Sequence, residues 1–377
     1  MAIRGGAPRS SRVTAGPKRQ RLDAVAALRV DRRYSLFMSS AVTSSSEDRE
    51  MQAVIVRRPG GPEELALGRV PAPVLDPGCL EIDVHATALN RADLLQRRGA
   101  YPPPPGASEI LGLECAGVVR AVNGDVGEWR PGDRAMALLA GGGYAERVVV
   151  PHTHALPIPE GMSFHQAAAV PEAFLTASEA LFSCGDLNTG EWVLVHAAAG
   201  GVGSAAVQLA RLIGANVIAC AGTAQKLAYL EQLGASVVVN HREADFEAAV
   251  NRATDGRGVD VVLDFVGGPY AERHQRCLAE AGRWVVLGLL GGSEAKLDLA
   301  RVLRRRWRIL GLVMRTRSNA DKAAIVQRFM LRFAGQLGSG GLAPQIDRVF
   351  SLADAQAAHE RMERNENTGK IVLEVRP

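Results

Sequence analysis

Aromatic residues and closely spaced cysteines are both scarce in this chain of 377 residues. Aromatic side chains form only 5% of the chain, whereas glycine occurs 40 times, a balance typical of an α/β protein with many tight turns. The cysteines are odd in number and widely separated, without a C-x-x-C pair: Cys79, Cys115, Cys184, Cys220 and Cys277. Their spacing argues against a disulfide framework or a structural zinc site, and it favours a reducing compartment.

The chain also lacks a strong charge excess and a long apolar run. Its net charge is +4, but residues 1–50 hold 10 Lys and Arg against 5 Asp and Glu, which leaves 34 against 35 in the remainder. This balance argues against nucleic acid as a partner. We interpret the local basic run Arg304–Arg308 as a solvated helix end. No segment is apolar over the length of a transmembrane helix, so no membrane partner is expected.

Residues 1–50 differ in kind from the rest, because they are rich in Arg, Ser and Ala and poor in acidic residues. We expect a disordered, basic N-terminal extension. Its composition also resembles a mitochondrial transit peptide, with Arg32 and Arg33 at a possible processing site. Alternatively the extension has no targeting role, since Met51 opens the first strand and can itself be a start. We therefore predict a cytoplasmic protein, with mitochondrial import as the alternative.

Two patterns of predicted elements divide the rest of the chain. Strand-like runs separated by Pro and Gly indicate a small, mostly β region: 51–56, 65–70, 80–88, 114–122 and 134–139. From Trp192, strands alternate with helices and predict a doubly wound parallel sheet, with strands at 192–197, 216–221, 236–239, 259–265, 283–289 and 307–313. The chain end, with strands at 348–351 and 370–375 around a helix at 352–365, is predicted to return to the first region. The active site is then expected in the cleft between the two.

The segment from Trp192 to Ala210 is the most informative part of the sequence. An apolar strand leads through a turn of Ala and Gly into an amphipathic helix, as at the entry of a dinucleotide-binding domain. Glycines at 200, 201 and 203 let the backbone approach a pyrophosphate, and the N–H groups of the helix start point at the anion. Ala198 replaces the first glycine of the G-x-G-x-x-G pattern, but the position between strand and helix still predicts a cofactor site.

The second predicted strand of this region indicates which cofactor binds. It ends in residues 221–226, Ala-Gly-Thr-Ala-Gln-Lys, where an NAD site would place Asp or Glu for the ribose 2′-hydroxyl. No carboxylate is present, Thr223 can donate to a 2′-phosphate, and Lys226 supplies positive charge. This pattern predicts NADPH. The alternative is that Lys226 is an ordinary solvated lysine in the first turn of a helix.

Seven further motifs carry a resemblance to a known family: A-L-N-R-A-D-L-L-Q-R (88–97), Y-P-P-P-P-G-A-S (101–108), I-L-G-L-E-C-A-G (110–117), G-G-G-Y-A-E (141–146), P-E-A-F-L-T-A (171–177), H-A-A-A-G-G-V-G (196–203) and T-G-K-I-V-L-E (368–374). From residue 51 onward the chain resembles the zinc-free NADPH:quinone oxidoreductases of the medium-chain dehydrogenase/reductase superfamily, especially vertebrate forms induced by a tumour-suppressor transcription factor. The resemblance implies a GroES-like β-rich catalytic domain (51–172 and 342–377), a Rossmann NADPH-binding domain (173–341) and a homodimer. A role in oxidative stress or apoptosis is implied in the same way.

The resemblance also assigns roles to particular residues. Thr176 would contact the nicotinamide or its ribose, and Gly288 and Leu289 would pass near the nicotinamide. The phosphates would be held by two groups of residues: Gly200, Gly201, Val202 and Gly203 for the pyrophosphate, and Gly222, Thr223 and Lys226 for the 2′-phosphate. His241 stands where the family has a tyrosine near the adenine ribose, so contacts on the adenine side are less defined.

Asn90 and Tyr101 match cleft positions of the family and are the candidate catalytic residues. Asn90 would hydrogen-bond a substrate carbonyl. Tyr101 would stack on a quinone or relay a proton; alternatively it anchors its proline-rich loop.

Metal catalysis is not predicted. Zinc-dependent relatives have G-H-E where this chain has Gly112-Leu113-Glu114, and Asn90 stands in the region of an early Cys ligand. We interpret His152 and His154 as surface histidines, since no third ligand is apparent. Without a Lewis acid, nothing would lower the pKa of a substrate hydroxyl, so oxidation of an alcohol is not favoured. Reduction of an electron-poor acceptor mainly requires that donor and acceptor be oriented.

The resemblance therefore predicts an NADPH:quinone reductase, with formation of semiquinone and reactive oxygen species as a possible outcome. One alternative is an enoyl reductase acting on 2-enoyl thioesters, in which Arg91 and Arg97 would bind a phosphorylated carrier. Another is an NADPH-binding protein with a crystallin or RNA-binding role, against which the near-neutral charge of the main part of the chain argues.

Overall fold

The computed structural model describes residues 50–376. The predicted disordered extension and transit peptide lie outside the described residues, apart from Glu50, which begins the first strand. No helix in residues 50–376 combines the length and the apolar composition that a bilayer-spanning segment needs.

A mostly antiparallel sheet of seven strands contains both the beginning and the end of the described chain. Its strands are β3 (Cys79–Ala88), β4 (Glu114–Asn123), β5 (Arg134–Leu138), β6 (Arg147–Pro151), β7 (Ala155–Pro157), β14 (Ile346–Ser351) and β15 (Lys370–Glu374). The order is β14-β15-β3-β4-β5-β7, and β6 continues the edge of β3 beside β15. A separate antiparallel pair precedes this sheet: β1 (Glu50–Val56) and β2 (Leu65–Pro71). The last strand of the chain therefore lies beside one of the first.

The second sheet has six parallel strands in the order β10-β9-β8-β11-β12-β13. These are β8 (Trp192–Val195), β9 (Asn216–Ala221), β10 (Val237–Asn240), β11 (Val259–Asp264), β12 (Leu278–Val286) and β13 (Arg308–Gly311). Since the chain order reverses direction at β8, the carboxyl ends of β8 and β11 border the crevice where a doubly wound sheet binds its ligand. The predicted fold class, α/β with a GroES-like and a Rossmann part, is confirmed.

Ten α-helices connect these strands within residues 50–376: α1 (Arg91–Arg97), α2 (Phe164–Ala168), α3 (Pro171–Ser178), α4 (Gly201–Leu212), α5 (Ala224–Gln232), α6 (Phe246–Ala253), α7 (Ala271–Cys277), α8 (Leu299–Arg305), α9 (Asn319–Gly338) and α10 (Ala355–Glu363). One buried apolar cluster includes Ala86 and Ala116 of the first sheet, Ala173 and Phe174 of α3, and Val193 of the second sheet. Helix α3 is thereby fixed at the junction of the two sheets, where the cleft is expected.

Several predicted element ends differ from the structure for local reasons. Strand β8 stops at Val195 rather than at residue 197, because Ala197 has a φ of 45° and turns the chain into the glycine loop. Strand β12 stops at Val286, and the amides of Leu287 and Gly288 instead donate to the carbonyl of Asp264 at the end of β11. The sequence did not predict β6 and β7, which are short and end in proline.

Candidate functional site

The glycine loop lies between the end of β8 and the start of α4. A Cβ added at Gly203 would lie 2.6 Å from the carbonyl oxygen of Ala197, so only glycine allows this close packing of helix on strand. A Cβ added at Gly200 would meet only the same oxygen, at 3.3 Å. The first-turn N–H groups of Gly201, Val202 and Gly203 lack acceptors within the helix. The loop therefore leaves room for an anion in front of a helix start, as a pyrophosphate site requires.

The C-terminal strand completes this loop from the other sheet. The amide of Gly369 donates to the carbonyl of Ala199 at 2.7 Å, and Gly200 forms a parallel bridge with Gly369. A Cβ at Gly201 would collide with the Lys370 side chain. The glycine at 201 is needed because β15 passes directly in front of the helix start.

The residues predicted to hold a 2′-phosphate lie together at the ends of β9 and β10. Thr223 caps α5 by accepting from the Lys226 amide at 3.3 Å, which leaves its own O–H free to donate. The Lys226 ammonium donates to the Asn365 carbonyl at 2.7 Å. A Cβ at Gly222 would lie 2.9 Å from Nε2 of His241, so these two predicted residues are neighbours.

Arg242 belongs to the same cluster, and sequence reasoning missed it. Its Nε would lie 3.0 Å from a Cβ at Gly222. Burial lowers the pKa of Lys226, and the charges of Arg242, Arg91 and Arg361 lower it further, although Asp347 opposes them. The neighbouring positive charges disfavour the charged form of Lys226. Such a cluster of positive charge is suited to binding an anionic group. The position of Arg242 directly after His241 was the available signal.

Thr176 lies in α3 with its hydroxyl buried, and no group in residues 50–376 hydrogen-bonds to it. Such an orphan is unusual in a folded protein and fits a polar ligand group such as a nicotinamide carboxamide or its ribose. The Gly288 amide donates to the Asp264 carbonyl at 3.2 Å, and the Leu289 side chain is 54% exposed. Both therefore lie just beyond the carboxyl ends of β11 and β12. The residues present fit a nicotinamide dinucleotide.

A buried ion pair lies beneath the cleft. The Lys370 ammonium is 2.6 Å from Oε1 of Glu114, and it also donates to the Leu89 carbonyl and to Oδ1 of Asn90, each at 2.7 Å. Both charged side chains are almost completely excluded from solvent. The Glu172 amide donates to the other Glu114 oxygen at 2.9 Å. This cluster ties β4, β15 and the starts of α1 and α3 together.

The predicted role of Asn90 as a donor to substrate stays a prediction, and the structure shows its amide engaged with protein acceptors. Its amide nitrogen donates to Oε1 of Glu114 at 2.9 Å and to the Ala88 carbonyl at 3.3 Å, which engages both N–H groups. Asn90 instead positions Glu114 and Lys370. The sequence could not show this because its partners are far away in the chain.

The alternative role for Arg97 is wrong. Its side chain is completely buried, contacts Nδ1 of His359 at 3.1 Å and forms an ion pair with Glu363. Nε2 of His359 lies 3.3 Å from the Tyr144 hydroxyl, which contacts Asp93 at 3.2 Å. Arg97 is therefore part of a buried network and cannot reach a phosphorylated carrier.

Tyr101 borders the cleft beside a buried arginine. The Arg315 guanidinium lies 5.3 Å from the centre of the Tyr101 ring and donates to the Tyr101 carbonyl at 3.2 Å. Burial raises the pKa of Tyr101, and the charge of Glu172 raises it further. Tyr101 and Arg315 thus contact each other, and the charge of Glu172 raises the pKa of both. The sequence singled out only the first of the three.

The interpretation of His152 and His154 as surface histidines is wrong for His154. They lie in a short 3-10 turn, and His154 is 3% exposed with Nε2 3.0 Å from the Asn319 carbonyl. Nδ1 of His152 lies 2.9 Å from the Gly78 carbonyl. Each imidazole is therefore engaged with backbone. Within the described residues no group of three or more His, Cys, Asp or Glu side chains is arranged to hold a metal ion.

Comparison with known proteins matches both parts of the chain to family models. Residues 76–160 match the alcohol dehydrogenase GroES-like domain, and residues 201–329 match the zinc-binding dehydrogenase model. The mouse protein described as synaptic vesicle membrane protein VAT-1 homolog is 32% identical over 330 residues, which cover 83% of this chain and 81% of the relative.

Solved structures with the same fold carry different descriptions. A quinone oxidoreductase of Pseudomonas syringae pv. Tomato DC3000 has a TM-score of 0.76 at 30% identity, over 86% of this chain and 100% of its own. The CurK enoyl reductase has a TM-score of 0.76 at 29% identity, over 86% of this chain and 99% of its own. An NAD-dependent alcohol dehydrogenase has a TM-score of 0.76 at 35% identity, over 86% of this chain and 100% of its own. The fold is thus shared by proteins described as acting on different substrates.

Proposed function

Because this chain belongs to the medium-chain dehydrogenase/reductase superfamily, in its zinc-free, quinone oxidoreductase-like branch, and is an oxidoreductase, we propose that it reduces quinones with NADPH. The observation that carries this proposal is the buried hydroxyl of Thr176, which has no hydrogen-bond partner in the described part of the chain and lies at the same junction as the glycine loop. A dinucleotide with its pyrophosphate at the loop and its nicotinamide end at Thr176 would place the nicotinamide in the cleft beside Tyr101.

The bound cofactor would supply a hydride from its nicotinamide ring. The chain would bind it through the N–H groups of the α4 start, orient the nicotinamide through Thr176, and exclude water by packing α3 against both sheets. Tyr101 would bind a flat acceptor against its ring. At the positions where zinc-dependent relatives have ligands, this chain has Leu113 and Asn90, so binding and orientation are the contributions expected from the protein.

The activity test compares acceptors with one purified protein. We expect NADPH oxidation with an ortho-quinone and a para-quinone, and no oxidation with a crotonyl thioester. Loss of the reduced nicotinamide absorbance is the measurement. Thioester turnover without quinone turnover would make the protein an enoyl reductase, the description of the CurK relative. NADPH binding without turnover of any of the three would contradict the enzymatic proposal.

Preference for NADPH over NADH is expected to depend on Lys226 and Arg242. Removing either cation by substitution with alanine should weaken NADPH binding by about 1.5–3 kcal/mol, the usual contribution of a hydrogen bond to a charged group, and leave NADH affinity nearly unchanged. Isothermal titration with each cofactor is the measurement.

A matched control for this pair is Arg252→Ala, which removes one exposed positive charge at the end of α6. It should leave both affinities unaltered. An unchanged ratio of NADPH to NADH affinity in Lys226→Ala and Arg242→Ala would mean that the 2′-phosphate binds elsewhere or that the protein uses NADH.

We also propose that the protein forms a homodimer through β13. In the described part of the chain β13 is hydrogen-bonded to β12 on one side only, and Ile309 and Val313 beside it are 39% and 50% exposed. A free apolar strand edge is suited to pairing with a second copy. Ile309→Lys should convert a dimer into a monomer by light scattering, whereas Leu331→Lys on α9, 82% exposed, should not. A monomeric native protein would contradict the proposal.

A further inference from the structure

We propose that Glu172 is the acid that protonates the acceptor after hydride transfer, and that Arg315 binds the oxygen on which negative charge develops. This inference rests on the proposed reduction of a carbonyl acceptor such as a quinone.

Glu172 is placed on the ligand side of α3. It is the second residue of this helix, one turn before Thr176, so both side chains lie on the same helix face. Its backbone amide is fixed by Glu114, and its side chain is partly exposed. Within residues 50–376 no group hydrogen-bonds to its carboxyl oxygens. A carboxyl group that stays partly exposed on the Thr176 side of the helix can be reached by a ligand.

The surroundings of Glu172 favour its protonated form. Burial raises its pKa to about 8, and the charges of Glu114 and Asp93 raise it as well, while Lys370 and Lys322 lower it. At neutral pH the side chain is therefore mostly a neutral carboxylic acid that can donate a proton. A pKa close to the working pH also allows the carboxylate to regain its proton from water between turnovers.

Arg315 offers an unused donor in the same part of the cleft. It is 3% exposed, and its Nε donates to the Ala140 carbonyl at 2.8 Å while Nη1 donates to that of Tyr101. Within residues 50–376 its buried Nη2 has no hydrogen-bond partner. Burial lowers the pKa of Arg315, and the charges of Tyr101, Asp93 and Glu172 oppose this effect. An oxyanion would satisfy the remaining N–H group.

The proposed step balances atoms and charge. A quinone that accepts one hydride from the reduced nicotinamide holds both electrons as the hydroquinone monoanion, with its charged oxygen at Arg315. The O–H bond of Glu172 breaks, and its proton bonds to a ring oxygen to give the neutral hydroquinone. Water then returns a proton to the carboxylate. Each turnover consumes one NADPH, one quinone and one proton from solvent, and releases NADP⁺ and hydroquinone.

The first test uses the protein without cofactor and 2,4-dinitrophenolate, a coloured oxyanion that stays ionised above pH 6. In the wild-type protein its affinity should fall as the pH rises through about 8, by up to tenfold per pH unit, because ionised Glu172 repels it. Equilibrium dialysis from pH 6.5 to 9.5 is the measurement. Glu172→Gln should bind with nearly constant affinity, whereas the exposed-carboxyl control Glu109→Gln should behave as wild type. Arg315→Lys should bind more weakly at every pH.

The second test is the pH profile of quinone reduction. Glu172→Gln should lower kcat about 10²-fold with little change in KM, and it should remove a fall in wild-type kcat above about pH 8. A profile and kcat unchanged by Glu172→Gln would overturn the proposal, as would dinitrophenolate binding that does not depend on Glu172. If the wild-type protein reduces no quinone but Glu172 still controls binding of the oxyanion, the proposed acceptor is wrong. The assignment of Glu172 as the proton donor then still stands.

Discussion

Replacing Lys370 by methionine is expected to lower the free energy of unfolding by about 3–5 kcal/mol, as when one partner of a buried ion pair is removed. Its ammonium makes three short contacts, to Glu114, Leu89 and Asn90, and Glu114 is completely buried. Without Lys370, the Glu114 carboxylate would lose the cation that offsets its desolvation. Urea denaturation of the two proteins measures the difference.

A double-mutant cycle distinguishes the ion pair from a simple packing loss. Glu114→Gln removes the charge that Lys370 balances, so the double variant Glu114→Gln/Lys370→Met should be more stable than the sum of the single effects predicts. Lys296→Met, at an exposed position, controls for the change of side chain. Additive effects in the cycle would show that the two groups are not energetically coupled.

Gly203→Ala is expected to impair both folding and cofactor binding. The new methyl group would meet Ala197 and Ala198 backbone atoms at 2.6 Å, and neither can move without distorting β8 or the glycine loop. Overpacking of this kind costs about 1–3 kcal/mol, which exceeds the ~1 kcal/mol that alanine gains over glycine in a helix interior. Thermal unfolding and NADPH titration are the measurements.

Gly200→Ala provides the contrast at the same loop. Its φ of −81° suits any residue, and the added Cβ would have a single neighbour, the Ala197 oxygen at 3.3 Å. We expect almost unchanged stability. Cofactor affinity should be at least about tenfold lower, because the methyl group would occupy the space for a phosphate. Each factor of ten in affinity corresponds to ~1.4 kcal/mol. Equal NADPH binding by Gly200→Ala and wild type would place the pyrophosphate elsewhere.

The glycine loop was predictable because its signal is local. A strand, a turn and a helix follow one another within twenty residues, and each leaves its own pattern in the sequence. The alternation of strands and helices after Trp192 predicted the parallel sheet for the same reason. The ends of the strands were less predictable, since a single backbone angle at Ala197 ends β8.

Side-chain roles in the cleft depend on contacts between distant segments, and sequence reasoning was weaker there. Glu114 and Lys370 are 256 residues apart, and nothing near either residue identifies the other as its partner. Asn90 was predicted to be a cleft residue, but its partners determine what its amide can do. Glu172 lies in the 171–177 motif, which assigned a role only to Thr176, and Arg315 lies in no motif at all. Within residues 50–376, the unsatisfied Nη2 atom is what distinguishes Arg315.

The contact between β15 and the glycine loop also limits when the cofactor site can form during synthesis. Domains generally begin to fold from the N-terminus as the chain leaves the ribosome. Here the loop at 196–200 is made early, but Gly369 and Lys370, which close it from the other sheet, follow every strand of the parallel sheet in the chain. A nascent chain can therefore assemble its parallel sheet before the proposed phosphate loop is closed, and truncation before Gly369 would leave that loop open.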